Sequence, residues 1–166
     1  YTILVASLNE NVKLAKVLQD QLSSLNKDNK IINLVQMELP LYDSLKEEKD
    51  GIPKKIFALM DTLDKSEGYI IVSPEYNGSI PPVLTNTIAW ISRASTDFRK
   101  LFNEKVILLA SHSGSDGTGV TSAMRSQFMK LGSIVLSREI LITYEKKLNE
   151  KSSLKILEQF IRFTKK

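Results

Sequence analysis

The chain has 166 residues, of which 42% are hydrophobic and 25% charged, with a formal net charge of +4, one histidine and no cysteine. A chain of this size and composition is typical of a single globular domain over 1–166 that needs no disulfide or metal to support its core. The absence of cysteine excludes disulfides and a cysteine nucleophile, and one histidine makes no cluster for zinc. We therefore predict no metal site, and we favour a bound organic cofactor for any catalysis.

The positive excess is small and lies near the C-terminus. The lysines concerned are Lys146, Lys147, Lys151, Lys155, Lys165 and Lys166. They fit the solvated face of a last helix better than a nucleic-acid surface, which usually carries a basic stripe interleaved with aromatic residues. No run approaches the roughly 18 apolar residues of a membrane span, and the first residues are typical of a strand and not of a signal peptide. We expect a cytoplasmic protein with neither a nucleic-acid nor a membrane partner.

Short apolar runs alternate with segments of helical period along the chain. The runs are rich in Ile, Val and Leu, as expected for strands covered on both faces. They predict strands over 2–6, 30–35, 68–73, 105–111 and 133–142. The apolar spacing between them predicts helices over 11–25, 53–65, 82–93, 121–131 and 152–163. This alternation predicts an α/β fold: a flavodoxin-like three-layer sandwich, with a five-stranded parallel sheet of order 2-1-3-4-5 and helices on both faces.

Four connections between the predicted strands and helices are candidates for ligand binding. Residues 36–52 form the longest one, and a loop of that length is usually a binding or interface element. In an open α/β sheet, a ligand binds outside the carboxyl ends of the strands, near the point where the strand order reverses. Three further connections follow the carboxyl ends of predicted strands one, three and four. They are the first connection (7–11), the second connection (74–82) and the third connection (112–119).

The first connection opens a helix, where unpaired backbone N–H groups and the helix dipole favour an anion. Ser7, Asn9 and Asn11 add side-chain donors. An ordinary helix cap uses the same residue types, and the carboxylate of Glu10 competes for the same N–H groups. Neither the GxGxxG fingerprint nor the GxxxxGK[ST] phosphate loop is present. The residues of the first connection are therefore compatible both with a phosphate site and with an ordinary helix cap.

The second connection is stiffened by prolines and contains one glycine. Such a loop can present main-chain N–H and C=O groups to the planar edge of an isoalloxazine ring. Gly78 permits close approach because it has no Cβ, and Tyr76 offers an aromatic face. A rigid turn into the next helix, with Ser79 as its cap, accounts for the same residues.

The third connection holds three glycines and several small hydroxyl residues. This composition fits a backbone wrapped around a planar or phosphorylated ligand, and equally a flexible turn. His112 lies beside Ser113 and near Asp116, but no GxSxG elbow surrounds either serine, and residues so close in sequence rarely form a triad. The pattern therefore argues against a hydrolase.

The segment Ser73-Pro-Glu-Tyr-Asn-Gly-Ser-Ile-Pro-Pro82 resembles the NADPH-dependent FMN reductase family of flavodoxin-like flavoproteins. The residues that follow it extend the likeness, as does the segment Leu39-Pro-Leu-Tyr-Asp43. Those following residues are Leu84, Asn86, Ile88, Trp90, Ser92 and Arg93. The resemblance covers nearly the whole chain.

The resemblance implies a noncovalent FMN that receives hydride from NADPH or NADH and passes it to a small acceptor, such as a quinone, a free flavin, an azo compound or a metal oxyanion. It implies phosphate contacts in the first connection and isoalloxazine contacts in the other two, with no catalytic side chain assigned. Together with the loop compositions, the predicted cofactor-binding residues are Ser7, Asn9, Asn11, Pro74, Glu75, Tyr76, Asn77, Gly78, Ser111, His112, Ser113 and Gly114. The resemblance also implies a homodimer or homotetramer, with Trp90 and its helix near the interface. A plain core position for Trp90 is the alternative.

The chain departs from the family pattern at two places. The first connection is shorter than usual and lacks an arginine, and Thr85 and Ala89 stand where the family has lysine and aspartate. A weakened phosphate contact favours an alternative in which flavin is exchanged as a substrate. A second alternative is a flavin-binding electron-transfer or regulatory domain without NAD(P)H oxidation, although the basic charge of the chain argues against a shuttle.

Overall fold

The computed structural model describes residues 1–165. Lys166, one of the lysines assigned to the last helix, lies outside the described residues. The strands are β1 (Thr2–Val5), β2 (Lys30–Asn33), β3 (Gly68–Val72), β4 (Val106–Ser113), β5 (Ile134–Val135) and β6 (Ile140–Thr143). The helices are α1 (Glu10–Ser24), α2 (Ser44–Asp50), α3 (Lys54–Asp64), α4 (Pro82–Ala94), α5 (Thr118–Lys130) and α6 (Glu150–Thr164), with a 3₁₀ turn over Phe98–Leu101.

The strands form one parallel sheet whose order, β2-β1-β3-β4-β5, confirms the predicted 2-1-3-4-5. Apolar residues of the central strands alternate between two core layers, one on each face of the sheet. Ile3, Ile70 and Leu108 pack with α1 and α6, whereas Ile71 and Leu109 pack with α3, α4 and α5. Burial on both faces explains why these strands are continuous apolar runs. Within residues 1–165, no helix has both the length and the apolar run needed to cross a bilayer.

The prediction of one strand over 133–142 is wrong, because this segment forms two strands. Both pair with β4: β5 lies beside Val106 and Ile107, and β6 lies beside the stretch from Ala110 to Ser113. Between them the chain leaves the ladder, where Arg125 of α5 donates to the Leu136 carbonyl (2.9 Å) and pairs with Glu139. Because its guanidinium binds both a carbonyl and a carboxylate, Arg125 holds the segment between β5 and β6 against α5.

The prediction that residues 36–52 form a loop needs correction, because α2 lies within them. Asp43 starts this helix by accepting a hydrogen bond from the Lys46 N–H at 2.8 Å. The segment before α2 packs on α4, where the Trp90 indole donates to the Pro40 carbonyl at 2.7 Å and meets the Tyr42 ring edge-on at 5.1 Å. Trp90 is fully buried within the described protomer. The Trp90 side chain therefore packs in the core of the protein, and its distance from any subunit interface stays a prediction.

Candidate active site

A cleft of about 400 Å³ opens at the carboxyl ends of β1, β3 and β4, where the strand order reverses. This volume lies within the range of roughly 300–1,000 Å³ that is usual for small-molecule sites. The cleft is lined by Ser7, Leu8, Asn9, Glu10, Asn11, Val35, Pro74, Glu75, Tyr76, His112, Ser113, Gly114 and Tyr144. All three predicted connections therefore meet at one place. A larger depression, of about 930 Å³, lies at the opposite end of the strands.

The first connection leads into α1 with backbone N–H groups that have no hydrogen-bond partner among residues 1–165. The Asn9 carbonyl accepts the Val12 N–H at 2.9 Å, but its side chain makes no cap hydrogen bond among the described residues. The N–H groups of Glu10 and Asn11 are the first two of the helix and have no partner within it. From β2, Asn33 donates to the Ser7 carbonyl at 2.8 Å and so fixes the connection. The first turn of α1 is thus able to receive an acceptor.

The Asn11 side chain joins the first and third connections. It is 3% exposed, donates to the His112 carbonyl at 3.0 Å and accepts from the His112 N–H at 2.8 Å. The β3–β4 ladder ends just before, at the bond from the Ser73 N–H to the Ala110 carbonyl. The chain then turns at Pro74, which has no N–H to continue the ladder. The Asn11 side-chain amide therefore pairs with the His112 backbone at a point where β4 has no neighbouring strand on that side. The backbone N–H of Asn11, in the first turn of α1, has no partner within the helix and can donate to a ligand.

Glu10 places a carboxylate at the end of the cleft where α1 begins. Its side chain pairs with Lys13 at 2.6 Å. This hydrogen bond lowers the pKa of the Glu10 carboxyl, and the charges of Lys13, His112 and Lys147 act in the same direction. Glu10 is therefore ionised at neutral pH and competes with any anion at the first turn.

The second connection contains a two-residue reverse turn. Tyr76 and Ser79 exchange two backbone hydrogen bonds of 3.0 Å, and the residues between them have positive φ, 51° for Asn77 and 72° for Gly78. These values define a type I′ turn, for which Asn-Gly is the preferred sequence. Consequently Asn77 and Gly78 lie at the tip of the turn, outside the lining of the cleft, whereas Pro74, Glu75 and Tyr76 line it.

The third connection supplies the opposite wall. His112, Ser113 and Gly114 line the cleft, but Ser111 is fully buried beneath them and its hydroxyl has no hydrogen-bond partner within residues 1–165. The His112 ring meets Tyr144 edge-on, with 4.9 Å between ring centroids. Tyr144 directly follows β6 and lines the cleft. It was not predicted, because a single strand over 133–142 gives no second strand that ends beside the site. Leu8 and Val35 also line the cleft without having been predicted.

Sequence comparison identifies the family. The profile of the family described as "NADPH-dependent FMN reductase" matches residues 2–147. The quinone reductase of Escherichia coli (strain K12) is 41% identical over 56 residues, which are 34% of this chain and 30% of that protein. The NADH:(hydroxy)cinnamate reductase subunit CrdA of Vibrio ruber is 29% identical over 82 residues, 49% of this chain and 39% of that protein. The chain thus spans well under half the length of these curated relatives.

Solved structures share the fold. FerB, a flavoenzyme NAD(P)H:(acceptor) oxidoreductase from Paracoccus denitrificans, superposes with a TM-score of 0.79 at 20% identity, covering 98% of this chain and 95% of that one. A flavodoxin from the domain Archaea gives a TM-score of 0.66 at 12% identity, covering 96% and 97%. At these identities the likeness establishes the flavodoxin-like fold. Since the family profile extends over 2–147, and thus from β1 to β6, the chain belongs to the NADPH-dependent FMN reductase family, a family of oxidoreductases.

Proposed function

We propose that this protein is an FMN-dependent oxidoreductase that transfers hydride from NADPH or NADH to a small acceptor such as a quinone or a flavin. One observation carries the proposal: the cleft at the strand-order reversal brings together the three connections that the family profile spans. When bound, FMN supplies the two-electron chemistry for which the lining side chains have no group of their own.

The lining fits a flat heterocycle. Leu8, Val35, Pro74, Tyr76 and Tyr144 give the cleft apolar and aromatic walls. A Cβ added to Gly114 would meet no atom within 4 Å in the described structure, so the third connection leaves open space beside the cleft. We propose that the main-chain N–H groups of Glu75 and Gly114, which make no hydrogen bond within residues 1–165, hold the polar edge of the ring, while the apolar walls exclude water from its faces. The chain's task is thus to position the ring and set the polarity around it.

The lining fits the charged tail less well. The Ser7 hydroxyl, the Asn9 side chain and the N–H groups of Glu10 and Asn11 are neutral donors for a phosphate. In the described part of the chain, the residues that line the cleft include no lysine or arginine. The ionised Glu10 opposes the phosphate further. We therefore propose a phosphate contact built from neutral donors, which keeps open the alternative that flavin exchanges at each turnover.

Flavin titration followed by anaerobic reduction tests the proposal. We expect the apoprotein to quench FMN fluorescence on binding, and the complex to bleach when NADPH or NADH is added separately. A dissociation constant well above micromolar would favour exchange of flavin as a substrate. Binding without bleaching by either nicotinamide would favour the electron-transfer or regulatory alternative, and no binding at saturating FMN would contradict the proposal.

Glu10→Gln is expected to tighten FMN binding by about two- to fivefold, because it removes a negative charge from the first turn of the helix that receives the phosphate. Riboflavin, which has no phosphate, is expected to bind the variant and the wild type equally. Glu158→Gln, at an exposed position of α6, is the matched charge control. Isothermal titration with both flavins at fixed salt measures the difference. Equal tightening for riboflavin would show that Glu10 does not face the phosphate.

Three properties stay predictions. A single domain over 1–166 and a cytoplasmic location rest on the sequence alone. A homodimer or homotetramer follows from the family resemblance, and we propose it on that basis. Light scattering on the purified protein measures the assembly, and a strict monomer would contradict that part of the proposal.

A further inference from the structure

The amino end of α5 is capped by carboxylates from two different connections. The helix follows Gly117, which has no side chain to cap it. Asp116, in the same connection, accepts from the Thr118 N–H at 2.9 Å. Glu75, in the second connection, accepts from the Val120 N–H at 2.9 Å. Carboxylates at a helix amino end satisfy unpaired N–H groups and interact favourably with the helix dipole.

The second oxygen of the Glu75 carboxylate contacts the third connection. It accepts a hydrogen bond from the Ser115 hydroxyl. The Ser115 N–H in turn donates to the Ser113 hydroxyl oxygen at 3.1 Å, and Ser113 is a buried residue of the lining. Continuous hydrogen bonds therefore run from the second connection through Glu75 and Ser115 to Ser113.

We infer that Glu75 is a positioning residue that ties the second connection to the third and so sets the width of the cleft. The effect on flavin binding rests on the proposed function, in which the isoalloxazine ring is held between the two connections that Glu75 joins. One carboxylate oxygen accepts from Ser115 and the other from Val120, so the Glu75 side chain fixes how far apart the two connections lie on either side of the ring. The family resemblance implies that Glu75 lies along the isoalloxazine, and Glu75 does line the cleft. The hydrogen bonds of its side chain add the role of holding the second and third connections together.

Three variants distinguish the link that Glu75 makes between the two connections, called the tie below, from ordinary helix capping. Glu75→Ala removes both hydrogen bonds. Glu75→Gln keeps an oxygen to accept from Val120 and gains an N–H to donate to Ser115, so it preserves the geometry without the charge. Asp116→Ala removes a carboxylate from the same helix end but leaves the tie between the connections intact. Hydrogen exchange of the Val120 and Thr118 amides in the apoprotein, and the dissociation constants of FMN and riboflavin, are the readouts.

Glu75→Ala is expected to speed exchange at Val120 and to weaken both flavins equally, by about 10- to 100-fold for two lost hydrogen bonds. Glu75→Gln is expected to restore both readouts to near wild type. Asp116→Ala is expected to speed exchange at Thr118 and leave flavin affinity unchanged. Equal weakening by Asp116→Ala, or no recovery in Glu75→Gln, would overturn the inference.

The apoprotein readout keeps this inference distinct from the proposed function. Should wild-type protein bind neither flavin, the proposed function fails, and exchange at Val120 then decides the tie alone. Faster exchange in Glu75→Ala with recovery in Glu75→Gln supports it, and unchanged exchange overturns it.

Discussion

Gly119→Ala is expected to destabilise the protein by about 1–3 kcal/mol, as overpacking in a close contact usually does. A Cβ at this position would lie 2.5 Å from the Gly78 carbonyl oxygen and 2.9 Å from a Glu75 carboxylate oxygen. The carbonyl belongs to the backbone of the type I′ turn, so the second connection must move away from α5. Flavin affinity is expected to fall by at least about tenfold, since a misfit of 1.4 kcal/mol at the site already has that effect.

A loss of stability in Gly119→Ala would distinguish the close contact from the usual effect of alanine in a helix. Alanine in place of glycine inside a helix ordinarily stabilises it by about 1 kcal/mol. Gly114→Ala, where a Cβ would meet no atom within 4 Å in the described structure, is expected to leave the free energy of unfolding unchanged or to raise it by up to about 1 kcal/mol. Ser122→Ala, at an exposed position of α5, is the control for flavin affinity. Urea denaturation and flavin titration measure the two effects, and a Gly119→Ala protein that is as stable as wild type would contradict the close contact.

Asn11→Ala is expected to lower the free energy of unfolding by about 2–4 kcal/mol, because it removes two hydrogen bonds and leaves the His112 N–H and carbonyl unpaired. Both groups lie where β4 has lost its neighbour β3, so no other strand satisfies them. The first and third connections would separate, and flavin binding should weaken with them. Chemical denaturation monitored by circular dichroism measures the change in stability.

Asn9→Ala is the matched control, since it is the same substitution two positions earlier in the same connection. Asn9 is exposed and makes no side-chain cap hydrogen bond among the described residues, so its removal is expected to change stability by less than about 0.5 kcal/mol. Asn11→Asp keeps the acceptor for the His112 N–H but not the donor for its carbonyl, and should fall between wild type and alanine. Equal stability of the Asn9 and Asn11 alanine variants would refute the bridging role.

The sequence by itself determined the strand order and the place of the cleft. Apolar runs such as Ile70 to Val72 form buried strands because both faces of the sheet are covered, and their alternation with helices leaves few topologies. The position of the site then follows from the topology, since the carboxyl ends of parallel strands meet at one edge of the sheet. The Asn77-Gly78 turn is also local, because these two residues adopt positive φ at low cost.

Only the tertiary structure decided what the polar side chains of the site do. Asn11 and Glu75 each have partners far along the chain, His112 and Val120, and nothing in their own sequence neighbourhood selects those partners. Between β5 and β6, Arg125 of α5 binds the Leu136 carbonyl, a contact between residues that the local sequence pattern does not pair. A buried polar group takes whichever partner the packing brings within reach. Long-range contacts therefore show that the side chains of Asn11 and Glu75 also hold the connections around the cleft together.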